Sequence, residues 1–274
     1  MINNLRVLSK SSLRKKALLI AEAGYKAINI EKVVNGRIKI SNDFLLVKGE
    51  RIDLRKFRRI FILGIGKGSA LASSSLAKIL GNKLTSGISL DVQKPKLKIE
   101  NCKLKILIGT HPLPSLKNIK ATQRIIKLVK NLKKEDLLIT FICGGGSALL
   151  CGSEKEMRNS VLATKKLTEA GADIFELNTL RKHFSEIKGG GLAKLAYPAK
   201  IISLIISDVL GNDLPMVASG PTVFDKTTKK NAIKIWEKSQ SKEVRLPNIA
   251  KSEFIETPKD KKYFKKVKNI LFLS

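Results

Sequence analysis

Leu137-Leu138-Ile139-Thr140-Phe141-Ile142-Cys143-Gly144-Gly145-Gly146-Ser147-Ala148-Leu149-Leu150 runs an unbroken apolar strand into three glycines, a serine and a helix start built of small residues. A strand without polar alternation is buried on both faces, as in a parallel sheet. Glycines let several backbone N–H groups converge with no Cβ in the way, and a helix N-terminus adds about half a positive charge at the same point. The segment reads either as a cradle for a phosphate or carboxylate, or as a tight strand-to-helix turn without a ligand.

The flanking sequence repeats the alternation of strand and helix. Residues 13–34 carry apolar side chains at helical spacing, and residues 37–40 and 44–47 read as a small hairpin. Residues 59–64 read as a buried strand, 66–80 as a helix of small residues, 87–92 and 104–108 as two further strands, and 116–132 as an amphipathic helix. Beyond the glycines, helices are expected over 155–170 and 179–196, then the most apolar strand of all over 199–207. Strands separated by helices of this length predict an α/β fold with a parallel, doubly wound sheet, its ligand loops at the carboxyl ends of the strands.

A chain of 274 residues with net charge +30 invites a nucleic-acid reading, but only 11 of the 53 basic residues are Arg, and the lysines are spread from Lys10 to Lys268. Aromatics make up 5%, too few for base stacking, and no helix-turn-helix, zinc-finger or RNA-binding motif is present. Solvated lysine faces explain the charge, and no specific nucleic acid is expected. Cys102, Cys143 and Cys151 are odd in number and lack a Cys-x-x-Cys spacing, which argues against a disulfide framework or zinc site and fits a reducing, cytoplasmic setting. Residues 1–16 lack the apolar core of a signal peptide, and no run approaches the length of a membrane span.

Four further loops carry polar chemistry. Gly64-Ile65-Gly66-Lys67-Gly68-Ser69 follows a strand and opens a helix, with the wrong spacing for a dinucleotide fingerprint. Lys67 is expected at a helix start, where the macrodipole disfavours a cation unless it neutralises a bound anion; a plain surface lysine is the other reading. In Gly109-Thr110-His111-Pro112-Leu113-Pro114 two prolines hold Thr110 and His111 in a set direction. Arg181, Ser185 and Lys188, at i, i+4 and i+7, would share one helical face that ends at Gly189, as an oxygen clamp or as a solvated basic face. Asp208, just past an apolar strand, and Asp213 stand where α/β enzymes hold Mg²⁺, or cap a turn.

The segments Gly-x-Gly-Lys (64–67), Gly-Thr-His-Pro-x-Pro (109–114), Gly-Gly-Gly-Ser-Ala-Leu-Leu (144–150), Arg-Lys-His-x-Ser-x-Ile-Lys-Gly-Gly (181–190), Ser-Asp-Val-x-Gly-x-Asp-Leu (207–214) and Ala-Ser-Gly-Pro-Thr (218–222), in that order, resemble the glycerate 2-kinase family. The resemblance implies a Rossmann-like amino-terminal domain with helices on both faces of the sheet. It is placed at 1–222, with a helical and hairpin lead-in over 1–55. A second domain of the MOFRL type is expected to be missing, with 223–274 read as a Lys-rich linker and 267–274 as the first strand leading into that domain. Cys143 replaces a usual serine, and Asn212 a usual aspartate, which weakens the metal reading.

The implied reaction is ATP-dependent phosphorylation of D-glycerate at the 2-hydroxyl, with ATP and Mg²⁺ as cofactors, in an incomplete or split enzyme whose second domain is encoded separately or lost. The implied catalytic residues are Lys67, Arg181 and Asp208. Thr110, His111, Gly144, Gly145, Gly146, Ser147, Lys182 and Lys188 would bind substrate or phosphate, and Asp208 and Asp213 metal. A noncatalytic anion- or nucleotide-binding half-enzyme is the alternative, and a basic nucleic-acid-associated protein the remaining one. The chain by itself is expected to bind glycerate or nucleotide weakly and to turn over little.

Overall fold

The computed structural model describes residues 2–27, 29–95, 103–239 and 249–274. The chain opens with helices α1 (Leu5–Leu8), α2 (Ser12–Ala27) and α3 (Ile30–Arg37). The single helix expected over 13–34 is thus two, the second capped by Asn29, whose Oδ1 accepts from Lys32 N–H at 2.9 Å. Strands β1 (Ile38–Ser41), β2 (Phe44–Val47) and β3 (Glu50–Asp53) follow as an antiparallel meander rather than the expected hairpin. Both of its turns, Asn42-Asp43 and Lys48-Gly49, place two consecutive residues in the left-handed region, the backbone twist that two-residue hairpins require.

The main unit then alternates β4 (Arg59–Ile65), α4 (Ser69–Leu80), β5 (Leu84–Asp91), β6 (Leu104–Ile108), α5 (Leu116–Lys130), β7 (Asp136–Cys143), α6 (Gly146–Leu149), α7 (Glu154–Glu169), α8 (Ile174–His183), α9 (Gly191–Ala196), β8 (Lys200–Ile206), α10 (Lys229–Lys238) and β9 (Val267–Leu273). Six strands form one parallel sheet in the order β6-β5-β4-β7-β8-β9. All eight residues of β7 are buried, as its unbroken apolar run predicts.

The faces separate by alternation along β4. Phe61, Leu63 and Ile65 pack with Ile125 and Val129 of α5 and Leu192 of α9 on one side. Ile60 and Ile62 pack with Ala72 and Leu76 of α4, and with Val34, Ile38 and Leu45 of the lead-in, on the other. The sheet is therefore doubly wound, as expected. A third apolar cluster joins α7, α8 and α10 through Ala163, Leu180, Trp236 and Phe254.

Three expectations are corrected. Residues 223–274 are no linker: Trp236 and Phe254 are buried in that helical cluster, and Phe272 of β9 is buried in the sheet. The final strand pairs with β8, from Ile201 opposite Val267 to Ile206 opposite Leu273, and so belongs to this sheet. The helix expected over 179–196 is two, α8 ending at His183 and α9 starting after Gly189 and Gly190, whose φ of 53° and 85° no helix continues through. Residues 240–248 of the Lys-rich stretch lie outside the described residues.

Chain order runs outward from β4 to β6 and returns through β7 to β9, so the direction of winding reverses between β4 and β7. That reversal opens a crevice at the carboxyl ends of the two strands. The loops there touch: Lys67 N–H donates to Gly144 O at 2.9 Å. Gly66 has φ of 105°, and a Cβ on it would stand 2.7 Å from Cys143 C and 2.8 Å from Gly144 O. Because the obstacle is backbone, Gly66→Ala is expected to destabilise the fold by about 2–4 kcal/mol. Denaturant unfolding of the variant against the parent chain checks this, and an unchanged midpoint contradicts it.

Candidate functional site

The crevice is lined by His111, Gly144, Gly145, Ser147, Asn178, Arg181, Asp208 and Met216, among others, around a cavity of about 310 Å³. The polar side chains arrive on several elements, with Asn178 and Arg181 together on α8. β7 delivers the glycines, and α6 opens with the N–H groups of Gly146 and Ser147, which have no intrahelical acceptor. Asp208 lies two residues past β8, its carboxylate against Gly144: a Cβ on that glycine would stand 2.6 Å from Asp208 Oδ1. Lys67 is exposed in the loop ahead of α4, not in its first turn. Its Cε lies 3.1 Å, and His111 Cδ2 3.2 Å, from where a Cβ on Gly145 would stand, so both side chains converge on the glycine loop.

His111 is held by its own loop. Buried Asn118 of α5 accepts from Thr110 N–H at 2.8 Å, while its Nδ2 donates to Thr110 O and to Ala148 O, both at 3.0 Å. One amide thus ties the Thr-His-Pro loop to α6. Thr110 serves the same purpose: its hydroxyl donates to Leu113 O at 2.8 Å, and the residue does not line the cavity. Burial lowers the pKa of His111, the positive charges of Lys67 and Arg181 lower it further, and Asp208 opposes them. The imidazole is neutral at neutral pH and able to accept a proton.

Arg181 is half-buried on α8, and Nη2 donates to Thr164 Oγ1 at 3.2 Å. No carboxylate pairs with it among the described residues, and burial alone lowers its pKa. Its two sequence companions are each paired with a carboxylate, although Lys188 borders a smaller cavity together with Arg181 and Ser147. Lys182 is buried against Asp225 at 3.2 Å, outside the cavity. Burial would raise the Asp225 carboxyl, but Lys182 and Thr227 bring it below its ordinary value. Lys188 is buried against Glu156 at 2.8 Å. The shared helical face proposed for Arg181, Ser185 and Lys188 does not exist, because α8 ends at His183. Asp213 is exposed and away from the cavity lining, and no cluster of three metal-ligating side chains occurs among the described residues.

Lys67, His111, Gly144, Gly145, Ser147, Arg181 and Asp208 therefore meet at one crevice, with Gly146 at the start of α6 beside them. Asn118, Asn178 and Ser219 were not singled out from sequence. Asn118 had a local signal, since it closes a capping box with Ser115 at the start of α5.

The family model described as "Domain of unknown function (DUF4147)" matches residues 16–252. The chain is 31% identical over 257 residues to the glycerate 2-kinase of Pyrococcus horikoshii, covering 90% of this chain and 57% of that protein. It is 35% identical over 227 residues to the glycerate kinase of Danio rerio, covering 78% of this chain and 45% of that one. The crystal structure of glycerate kinase from Thermotoga maritima superposes with a TM-score of 0.76 at 28% identity, covering 96% of this chain and 59% of that one. The chain spans about half the length of the curated relatives it matches. No helix among the described residues is long and apolar enough to cross a membrane.

The two histidines make the site's electrostatics measurable. His183 is buried, with Nδ1 2.8 Å from Ile255 O and Nε2 3.1 Å from Thr227 Oγ1, and burial lowers its pKa too. Both imidazoles are expected to titrate below the usual 6.5 by NMR. Sulfate, a dianion at every pH of the titration, should offset Lys67 and Arg181 and raise His111 while leaving His183 in place, so that sulfate binds more tightly as pH falls. A sulfate-induced shift at His183 alone would contradict the assignment of the crevice as the anion site.

Proposed function

The chain belongs to the DUF4147 family, and on that footing we propose that it acts in the ATP-dependent phosphorylation of D-glycerate at the 2-hydroxyl. The names of its homologues support a glycerate-kinase-like function. The observation that carries the reading is Arg181, a half-buried guanidinium without a carboxylate partner among the described residues, in the wall of a cavity shared with Asp208 and the open start of α6. A desolvated, unpaired cation favours an anionic ligand, and a carboxylate engages guanidinium in bidentate fashion.

Phosphoryl transfer asks a protein chiefly for positioning and charge neutralisation. On this reading Arg181 and the N–H groups opening α6 hold the substrate carboxylate. Exposed Lys67 neutralises phosphate oxygens across the glycine loop. Neutral His111 accepts the proton that the 2-hydroxyl gives up. For Mg²⁺ the cavity offers one carboxylate, Asp208, within the one or two that the ion takes from a protein when nucleotide phosphates and water supply its other oxygens. When bound, Mg²⁺ and the nucleotide supply the transferable phosphoryl group and stabilise its developing charge.

Calorimetry with D-glycerate and with Mg²⁺–ATP, together with a coupled assay of ADP release, tests the reading. D-Glycerate is expected to bind, and Arg181→Ala to weaken it by roughly tenfold to a hundredfold, the worth of a charged hydrogen bond. Lys67→Ala should weaken Mg²⁺–ATP more than D-glycerate. Gly144→Ala should do the same, because its methyl displaces the Asp208 carboxylate, a movable side chain, and spares the fold. Absence of D-glycerate binding at millimolar concentration would overturn the proposal.

A further inference from the structure

Ser219 lies beneath the cavity, fully buried, in a conformation that serine rarely adopts: Ala218 and Ser219 have φ of 52° and 58°. Two consecutive non-glycine residues in the left-handed region carry a conformational cost that the surroundings must hold in place. Here Gly189 N–H donates to Ser219 O at 2.9 Å, and Gly190 N–H to Gly220 O at 2.8 Å. The result is the placement of one hydroxyl. Ser219 Oγ donates to Asn178 Oδ1 at 2.8 Å and lies 2.8 Å from Ser147 Oγ.

A hydroxyl has one proton. With that of Ser219 given to Asn178, the bond between the two serines has to be donated by Ser147. Ser147, which lines the cavity, is left facing it with lone pairs only. Asn178 lines the same wall and presents its amide N–H groups, one of them in a weak contact with Met216 Sδ at 3.9 Å. The wall therefore offers one fixed acceptor and one fixed donor, joined through a buried third residue.

We infer that Ser147 and Asn178, with their polarity set by Ser219, read the 3-hydroxyl of the hydroxy acid, the one that is not phosphorylated. The inference rests on the glycerate reading above. A hydroxyl satisfies both groups at once, giving its proton to Ser147 Oγ and accepting from Asn178 Nδ2. A carboxylate or phosphate oxygen has no proton for Ser147, and a methyl group satisfies neither. The hydroxyl read in this way keeps its proton, because a serine oxygen is not a base. It is therefore distinct from the 2-hydroxyl, which must lose its proton. Ser219 does not face the ligand and is a positioning residue.

D-Lactate keeps the carboxylate and 2-hydroxyl of D-glycerate and lacks the 3-hydroxyl, so the ratio of the two dissociation constants isolates this contact. Calorimetry compares both ligands on the parent chain, Ser219→Gly and Asn178→Ala, with thermal unfolding as the check on folding. Glycine adopts a φ near 58° freely, so Ser219→Gly removes the hydroxyl without backbone strain. The parent is expected to prefer D-glycerate by about tenfold or more, since a site built to bond a hydroxyl rejects an analogue lacking it. Ser219→Gly should bring the two ligands within about threefold, by weakening D-glycerate and leaving D-lactate unchanged. Asn178→Ala should move the ratio the same way and decides the matter if Ser219→Gly does not fold. Equal affinities in the parent, or a preference that survives both substitutions, would overturn the inference and leave the hydroxy-acid reading standing. Failure of the parent to bind either acid overturns that reading and this inference with it.

Discussion

The loops that leave β4 and β7 meet backbone to backbone, and the polar crevice is organised around that meeting. Lys67 N–H reaches Gly144 O, and Gly66 lies so close to Cys143 that no Cβ fits between them. Because the winding reverses between these two strands, neither crossover covers the gap. The two helix starts are not equivalent, however. Asp91, at the end of β5, accepts from Ala70 N–H at 3.0 Å and Val92 N–H at 2.7 Å, closing the first turn of α4 with the chain's own carboxylate. Burial raises the pKa of that carboxyl in spite of those bonds. A dinucleotide fold would present this helix start to a pyrophosphate; here the open start is that of α6.

A second constraint comes from the layer of α7, α8 and α10, which carries Arg181 and Asn178 to the crevice. Two buried ion pairs flank Arg181: Lys182 with Asp225, and Lys188 with Glu156. Buried pairs add little net stability, since desolvation offsets most of the attraction, but losing one partner strands a charge in the interior. Their effect is geometric. The first ties the end of α8 to the segment after residue 222, and the second ties the turn after α8 to the first turn of α7. Glu156 also accepts from Gly152 N–H at 2.7 Å, which carries the constraint back toward α6.

Most of this fold is legible in the sequence because buried parallel strands leave a plain trace, an apolar run that ends in small residues. β7 and β8 fall close to their expected bounds for that reason. β3 does not, because Glu50-Arg51-Ile52-Asp53 has one apolar residue and is a strand only by pairing with β2. β9 reads as a strand, but its place in this sheet does not show in the sequence, because its partner β8 is distant along the chain and pairing leaves no local mark. The glycines of the crevice were legible for the same reason that β7 was. Ser219 was not, because its role depends on a left-handed backbone that neither its own type nor that of Ala218 suggests.

Arg181, Lys182 and Lys188 show most clearly what a sequence withholds. Within eight residues the chain offers three cations, and by type and spacing all are equally suited to an anion. What separates them is the position of carboxylates: Asp225 lies 43 residues beyond Lys182, Glu156 lies 32 residues before Lys188, and Arg181 has none among the described residues. Burial then acts in opposite senses on paired and unpaired charges. A paired lysine in the interior is electrostatically spent, whereas an unpaired guanidinium at a half-buried wall interacts with an anion about 4 Å away several times more strongly than an exposed ammonium does, because fewer water dipoles screen it. Lys67, exposed on its long stem, is the weaker and more adaptable partner. On the reading proposed above, the charge that must stay fixed during the reaction, the substrate carboxylate, belongs at Arg181, and the phosphate oxygens that shift as the bond forms belong within reach of Lys67.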